Sequence, residues 1–471
     1  MTLKTGLIGV LSLVCFALTG SVAFQDDTAE RLDREFRESV AQYDAGHLAE
    51  AATKLESLVR QVPGSFEVHE LLGMVYSAQS QNAKAIEHLH KAVELSPNSA
   101  AARTNLATNL VRAGKLAPAE SEFKKAIELE PRSYHANHNL GEFYIAAGKL
   151  PQALSYLAEA QRINPAAYDN GYDLSLAYLE TGQAAEAKKL VHALLAHKDT
   201  AELHNLMAQV EEKDGNFVAA ANEYETAAHI DPSEGNLFDW ASELLLHRTL
   251  DPAVEVFKAA IERYPKSPRL AIGLGMALYS RGNYDEAVKS LLRAADLNPS
   301  DPRCYFFLSK AYDSSPEQAE DVIQRFRRFA ELQPQNARAL YYYAMSLWKG
   351  RRVEDSDLNL NQIEALLKKA VALDPGLVEA HQQLGNLYSD QKKYAESIPH
   401  YLEAIKLNPD LPDAHYRLGQ AYVHTGDKKH AQEQLEIYRR LRQQHMADLD
   451  KQRAEIRQFV YSAKDTPSPK P

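Results

Sequence analysis

Residues 71–97 read "LLGMVYSAQSQNAKAIEHLHKAVELSP", and residues 383–409 read "QLGNLYSDQKKYAESIPHYLEAIKLNP". Both stretches hold Leu-Gly, an aromatic residue three positions after the Gly, a polar middle and a closing proline. Apolar residues recur at helical spacing on each side of the polar middle, which predicts two amphipathic helices joined by a turn. The element that builds this chain is therefore a pair of helices.

The closing prolines show how often the pair recurs. Pro63, Pro97, Pro131 and Pro165 are spaced by 34 residues, Asp199 takes the next place, and prolines follow at 232, 265, 299, 334, 375 and 409. Proline cannot continue a helix but is tolerated at the start of the next one. Small residues such as Gly73 in the first helix and Ala119 in the second mark places where two helices approach closely.

This skeleton resembles the tetratricopeptide repeat family, whose period is 34 residues and whose pattern is L-G-x-x-Y…A-x-x-x-F…P. The resemblance covers 32–443 in eleven to twelve copies. It implies an all-α fold, an α-solenoid in which about 12 helix-turn-helix units stack into a right-handed superhelix. A charged C-terminal helix at 444–462 is expected to cap it, and the tail 463–471 to be disordered.

Two repeats are irregular, at 303–334 and 337–375. In the first, Ser314 or Ser315 is expected to cap a helix that Pro316 begins. In the second, the excess residues "GRRVEDSDLNLN" at 350–361 are placed in the turn between helices.

The N-terminus has the composition of a secretory signal. Lys4 precedes the apolar run "GLIGVLSLVCFAL", and small residues end in "SVA" at 21–23. We expect a signal peptide at 1–23, a short linker at 24–31, and an exported protein, periplasmic or secreted. The alternative is a chain anchored by an uncleaved N-terminal helix. Cleavage would leave Cys304 as the one cysteine, expected to be a buried helix residue.

Charge and motifs limit the possible activities. The chain has 64 acidic and 53 basic residues, a net charge of −11, which argues against binding nucleic acid or an anionic membrane. The sequence has no glycine-rich phosphate loop, GxSxG, HExxH or CxxC motif. We therefore predict a protein that is not an enzyme and needs no cofactor. The histidines of "HLH", His88 and His90, are expected to face outward from a second helix.

In the family, the second, fifth and ninth places of each first helix point into a concave groove. This implies a polar groove in the early and last repeats, lined by Glu70, Thr104, His138, Glu142, Asn205, Gln209, Gln382, Asn386, Tyr416 and Gln420. Repeats seven to ten supply an apolar stretch of Phe238, Ile272, Met276, Tyr279, Phe306, Lys310, Tyr341, Met345 and Trp348. Aromatic and Met side chains on such a surface are typical of peptide or helix grooves.

The predicted function is an exported, non-catalytic scaffold that binds a peptide or helical segment of a partner protein in envelope or secretion-complex assembly. One alternative is an architectural solenoid that self-associates through its convex face or C-terminal helix. A minor alternative is metal or small-ligand binding at His135, His138 and Glu142, which share one helix face. A clamp for a C-terminal carboxylate is not expected, since the fifth places Glu70, Thr104 and His138 offer no Lys.

Overall fold

Every regular element in the described part of the chain is an α-helix. The structure is a computed structural model that describes residues 22–314, 318–350 and 357–444. It divides into an N-terminal unit that ends at Asn216 and a C-terminal unit that begins at Phe217. The predicted all-α class is confirmed.

The described residues of the N-terminal unit, 22–216, contain eleven helices. They are α1 Val22–Asp44, α2 Leu48–Gln61, α3 Phe66–Ala78, α4 Asn82–Leu95, α5 Ala100–Arg112, α6 Leu116–Leu129, α7 Tyr134–Ala146, α8 Leu150–Ile163, α9 Tyr168–Glu180, α10 Ala184–Leu195 and α11 Ala201–Lys213. Within this unit, α1, α3, α5, α7 and α9 each pack against the second helix that follows, and each of those second helices packs against the first helix of the next repeat.

The C-terminal unit continues the alternation. Its helices are α12 Phe217–Ile230, α13 Glu234–Leu246, α14 Leu250–Arg263, α15 Pro268–Arg281, α16 Tyr284–Leu297, α17 Pro302–Ser314, α18 Ala319–Leu332, α19 Ala337–Lys349, α20 Asp357–Leu373, α21 Val378–Asp390, α22 Tyr394–Leu407 and α23 Pro412–Thr425. A further helix, α24, covers 428–444. The odd-numbered helices are thus the first helices, and the even-numbered ones the second helices, of twelve repeats.

First helices of neighbouring repeats also contact one another. In the C-terminal unit, α13, α15, α17 and α19 contact in succession, and in the N-terminal unit α5, α7 and α9 do the same. We call the solvent-facing side of these odd-numbered helices the first-helix face of each unit.

Local sequence fixes where the first helices begin. The side chain of a Ser, Thr or Asn accepts a hydrogen bond from a first-turn backbone N–H at Ser65, Ser99, Ser133, Thr200, Ser233, Ser267 and Asn336. These caps satisfy N–H groups that have no acceptor within the helix. Seven first helices therefore carry their own start signal, whereas α9, α21 and α23 begin after Ala167, Leu377 and Leu411 without a side-chain cap.

The fourth residue of the first helix ties the helix back to the closing proline. The side chains of His69, Asn137 and Tyr305 lie 3.0–3.1 Å from the carbonyl oxygens of Pro63, Pro131 and Pro299. Arg103, His381 and His415 form the same contact with Pro97, Pro375 and Pro409. The carbonyl of the closing proline lies between two helices and, among the described residues, accepts no backbone hydrogen bond outside them, so a side chain of any suitable donor type at place four satisfies it.

Small residues permit the tight packing within each pair, as predicted. A Cβ added at Gly73 would lie 2.5 Å from Cγ of Leu89, and one at Gly141 would lie 2.4 Å from Cδ2 of Leu157. Ala119, Ala153, Ala220 and Ala287 on the second helices are fully buried. Cys304 is also fully buried, and its thiol donates to the backbone oxygen of Asp301 at 3.0 Å.

Three predicted boundaries require correction. Residues 24–31, predicted as a linker, lie within α1. Leu32 and Phe36 of this helix pack against the core cluster that contains Leu55 and Leu72. Ser314 is the last residue of α17, and α18 begins at Ala319 after the cap residue Gln318, while Ser315 and Pro316 lie outside the described residues. Residues 357–361 of the predicted turn belong to α20, because Leu360 packs against the core and extends that helix.

Residues 1–21 of the predicted signal peptide 1–23, the predicted tail 463–471 and nearly all of the predicted helix 444–462 lie outside the described residues. Among the helices that the structure describes, none has both the length and the apolar character needed to cross a bilayer.

Candidate functional site

The first-helix face of the C-terminal unit carries large apolar side chains that remain accessible. Phe306 on α17 is 42% exposed and Tyr279 on α15 is 37% exposed. Solitary exposed aromatic residues are ordinary, but here they belong to neighbouring helices in the same layer. They are the two large apolar side chains of the predicted stretch that are exposed.

Other predicted members of this stretch serve the core as well as the surface. Phe238, Met276, Tyr341 and Trp348 are half-buried and pack against the main core cluster of the unit. Ile272 is only 7% exposed and belongs to that cluster. Ile272 therefore packs into the core of the unit rather than lining its surface. Met345 is half-buried and Lys310 is exposed.

Basic residues that the sequence reading missed border the apolar side chains. Arg269, Arg303 and Arg338 occupy the second place of the first helix in three consecutive repeats. The guanidinium of Arg269 lies 4.8 Å from the ring centre of Phe238 and its Nε donates to Glu234 at 2.8 Å. Counting the second places along the repeats, rather than only the fifth and ninth, would have found this row.

The other two arginines differ in how they are held. Arg303 forms an ion pair with Asp301 at 2.7 Å, although its side chain is 70% exposed. Arg338 is exposed on the same place of α19. The ammonium of Lys310 lies 5.9 Å from the ring of Phe306, one turn further along α17. The face therefore combines exposed aromatic rings with cationic groups in neighbouring repeats.

The polar positions in the last repeats are of two kinds. Asn386 is 9% exposed and accepts a hydrogen bond from the hydroxyl of Tyr401 at 2.9 Å, so it supports packing. Tyr416 is 43% exposed, and its ring centre lies 5.1 Å from that of Tyr438. Gln382 and Gln420 are half-buried.

The first-helix face of the N-terminal unit is acidic at its second places, with Glu67, Asp169 and Glu202. Burial, reinforced by the nearby Glu67, raises the pKa of Glu70 to about 7. Thr104 is 6% exposed and its hydroxyl donates to the carbonyl of Ala100, so little of it faces solvent. Asn205 is half-buried and Gln209 is exposed.

His88 does not face outward, contrary to the prediction. Its Nδ1 lies 3.1 Å from Nδ1 of His69, and its ring stacks against Tyr76 at 5.7 Å between centres. Burial lowers the pKa of His88, and the nearby His69 lowers it further. His90, two residues on, is exposed. The helix turns by about 200° over two residues, which places the two histidines of this motif on opposite sides.

A group of possible metal ligands lies at α7 and α9. One ligand atom from each of His138, Glu142 and Asp173 lies within 4.8 Å of the others. His135, which the sequence reading joined to this group, is exposed and is not part of it. Asp173 sits one place after Tyr172 on the next first helix, so no pattern within α7 could have identified it.

The fold and these repeated faces define an all-α helical-repeat protein built for contact with other molecules. Profiles described as "TPR repeat" and "Tetratricopeptide repeat" match residues 385–426, residues 36–100 and 238–302, and the overlapping segments 76–137, 110–165 and 144–210. The chain belongs to the tetratricopeptide repeat family.

Curated relatives match parts of the chain. "TPR repeat-containing protein YpiA" of Bacillus subtilis (strain 168) is 26% identical over 158 residues, which cover 34% of this chain and 35% of the relative. "Protein CTR9 homolog" of Arabidopsis thaliana is 26% identical over 130 residues, covering 27% and 12%. The chain thus spans about a third or less of these relatives.

Solved structures are also similar to this chain. PilW, a type IV pilus biogenesis factor, is 20% identical with a TM-score of 0.40, covering 45% of this chain and 98% of its own. YrrB, a tetratricopeptide protein with an unusual peptide-binding site, is 22% identical with a TM-score of 0.33, covering 39% and 96%.

Proposed function

We propose that this protein is a non-catalytic scaffold that binds a segment of a partner protein on the first-helix face of its C-terminal unit. The observation that supports it most directly is the exposure of Phe306, one turn from Arg303 on α17, in a repeat whose two neighbours carry Arg269 and Arg338 at the same place as Arg303. A repeat protein holds this face preformed, so binding costs little ordering on the scaffold side.

Charge complementarity defines the partner. Aromatic side chains contribute most to binding energy where the groups around them exclude water. Arginine pairs with carboxylates in a planar, bidentate geometry. The matching segment is therefore an apolar peptide with interspersed Asp and Glu residues. Either an extended or a helical conformation of this peptide would let its side chains reach successive repeats.

A randomised peptide library displayed on phage, selected against the full chain, tests this proposal. We expect enriched peptides that combine apolar residues with Asp or Glu. The triple variant Arg303→Gln, Lys310→Gln, Arg338→Gln should bind those peptides at least tenfold more weakly, since three charges leave the face. Phe306→Ala should weaken binding at unchanged secondary structure.

The matched control removes the same number of charges from second helices of the same unit. Lys289, Arg327 and Arg328 are exposed on α16 and α18, so their change to Gln should leave peptide binding intact. Val218→Ala, at a residue 78% exposed on α12, is the apolar control. Failure to enrich acidic peptides, or equal loss in both triple variants, would overturn the proposal.

We also propose export, with action in envelope or secretion-complex assembly, on the basis of the signal-like residues 1–23. Mass spectrometry of the N-terminus of the protein from its native cells tests it. A mature chain beginning at Phe24 supports export, and a chain retaining Met1 in the cytosolic fraction contradicts it.

A further inference from the structure

His138, Glu142 and Asp173 form a cluster that the peptide-binding proposal does not use. His138 and Glu142 are separated by one helical turn on α7, with Nε2 of His138 3.7 Å from Oε1 of Glu142. Asp173 comes from α9, the first helix of the next repeat. Metal sites assembled between helices draw ligands from facing side chains in this manner.

The hydrogen bonds around the imidazole fix its tautomer. The amide nitrogen of Asn170 donates to the carbonyl of Leu157 at 2.9 Å and to Oε1 of Gln161 at 2.8 Å. Its amide oxygen therefore faces Nδ1 of His138, at 3.1 Å, and accepts a hydrogen bond from the N–H of that nitrogen. Asn170 is fully buried, so this arrangement is rigid.

In the neutral form of the His138 ring, the remaining nitrogen, Nε2, therefore carries the lone pair, and it lies 3.7 Å from Oε1 of Glu142. A neutral imidazole with its other nitrogen held by a hydrogen bond is the usual form of a metal-bound histidine. Tyr134 stacks on this ring at 5.5 Å between centres and 10° between planes, which holds its orientation from the other side. In this orientation the neutral imidazole of His138 can act as a metal ligand.

The carboxylates lack a cationic neighbour. Within the described residues, neither Glu142 nor Asp173 forms an ion pair with a Lys or Arg, and the charged groups that act on Asp173 are Glu142, Asp169 and His138. The side chain of His138 is 13% exposed and that of Glu142 is 32% exposed. Partly buried negative charges without a counter-ion are unfavourable, and a bound cation would relieve that repulsion.

We propose that the first-helix face of the N-terminal unit binds one divalent transition-metal ion, with Zn²⁺ as the preferred ion, through His138 Nε2 and the carboxylates of Glu142 and Asp173. Zinc bonds of about 2.0–2.2 Å to nitrogen and oxygen place neighbouring ligand atoms about 3.3 Å apart in a tetrahedron. A separation of 3.7 Å between the His138 and Glu142 atoms needs only a small side-chain adjustment to reach it.

The donor set also selects the class of ion. One imidazole with two carboxylates suits borderline ions, whereas Ca²⁺ and Mg²⁺ prefer oxygen ligands alone. Three protein ligands leave a fourth position for water or a ligand from a partner. Because α7 and α9 belong to successive repeats, the ion would also link them.

Equilibrium dialysis of the full chain against Zn²⁺, after stripping with a chelator, provides the test. We expect one tightly held zinc per chain above any weak surface binding. His138→Gln and Asp173→Asn should each weaken that binding at least tenfold, and the positioning change Asn170→Leu should weaken it with all three ligands present.

His135→Gln is the matched control, because it removes a neighbouring exposed histidine of α7 and should leave zinc binding unchanged. Thermal unfolding is the second measurement: Zn²⁺ should raise the midpoint of the wild type and of His135→Gln, but not of His138→Gln. Equal zinc retention by His138→Gln and His135→Gln, or no tight zinc in the wild type, would overturn the proposal. Neither result bears on peptide binding by the C-terminal unit.

Discussion

The ring of Tyr401 on α22 covers Gly385 on α21 so closely that a Cβ added to Gly385 would lie 2.6 Å from Cε1 of the ring. Tyr401 is fully buried, and its hydroxyl donates to Asn386 at 2.9 Å. The ring therefore cannot move aside without losing both packing and a buried hydrogen bond.

We expect Gly385→Ala to destabilise the protein by about 1–3 kcal/mol, because overlap with the Tyr401 ring exceeds the gain of about 1 kcal/mol in helix propensity. The control is Gly235→Ala on α13, where the nearest atom to an added Cβ lies 3.8 Å away. That change should stabilise by about 0.5–1 kcal/mol. Thermal unfolding followed by circular dichroism measures both, and equal effects at the two sites would contradict this account.

Replacing Lys392 by Gly should stabilise the turn between α21 and α22. Lys392 has a φ of 60°, in the left-handed region that costs a non-glycine residue about 1–2 kcal/mol. The net gain should be about 0.5–1 kcal/mol after the larger entropy loss of Gly on folding. Gly148, with φ of 69° and no atom within 4 Å of an added Cβ, provides the reverse test. Gly148→Ala should lower the unfolding midpoint, and an unchanged midpoint would refute the conformational argument.

The contact between place four and the closing proline predicts which residues are interchangeable there. Asn137→Ala should cost about 1–2 kcal/mol, since it leaves the carbonyl of Pro131 without its donor in a nearly buried setting. Asn137→His should retain most of the stability, because His69, His381 and His415 fill the same place.

Asn139→Ala on the same helix is the control, since Asn139 forms no side-chain hydrogen bond within the described residues. Denaturant unfolding of the three variants checks the order. If Asn137→His were as unstable as Asn137→Ala, the hydrogen bond would not be the stabilising feature.

From the raised pKa of Glu70 we expect the stability of the protein to depend on pH. Burial raises its folded-state pKa to about 7, from 4.5. Between these values the folded chain holds a proton that the unfolded chain has lost, so stability falls as pH rises from about 4.5 to 7. Glu70→Gln should remove this part of the slope and stabilise the protein by about 1 kcal/mol at pH 8.

The unfolding midpoint of Glu70→Gln, measured from pH 5 to pH 8 beside the wild type, checks this expectation. Exposed Glu128 on α6 serves as the control site, where the change to Gln should leave the wild-type slope intact. A slope unaltered by Glu70→Gln would contradict the role given to Glu70.

Much of the fold could be predicted because each repeat carries its own signals. The proline spacing, the small residues and the turn glycines are local features, and local backbone energetics act on them directly. The errors lie where packing extends a helix beyond its local signals. Leu360 contacts the core and thereby draws residues 357–361 into α20, which no turn pattern would indicate.

Less of the candidate sites could be predicted. Phe306 and Tyr279, two of the predicted groove residues, are exposed, whereas Ile272, another of them, is buried in the core. Exposure depends on how closely neighbouring helices approach, and that distance is set by side chains from other repeats. The three arginines of the row, Arg269, Arg303 and Arg338, lie at the second place of their helices. The repeat register defines that place, but the predicted groove residues do not include it.

The sequence by itself determined that this protein is a run of paired helices, where most of them begin and end, and which residues each helix turns to the same side. Only the tertiary structure decided which side chains of different repeats meet. Asp173 joins His138 and Glu142, and His69 meets His88, because packing brings together residues on separate helices. Helical periodicity fixes directions within one helix, whereas distances between helices come from the volumes of the side chains between them.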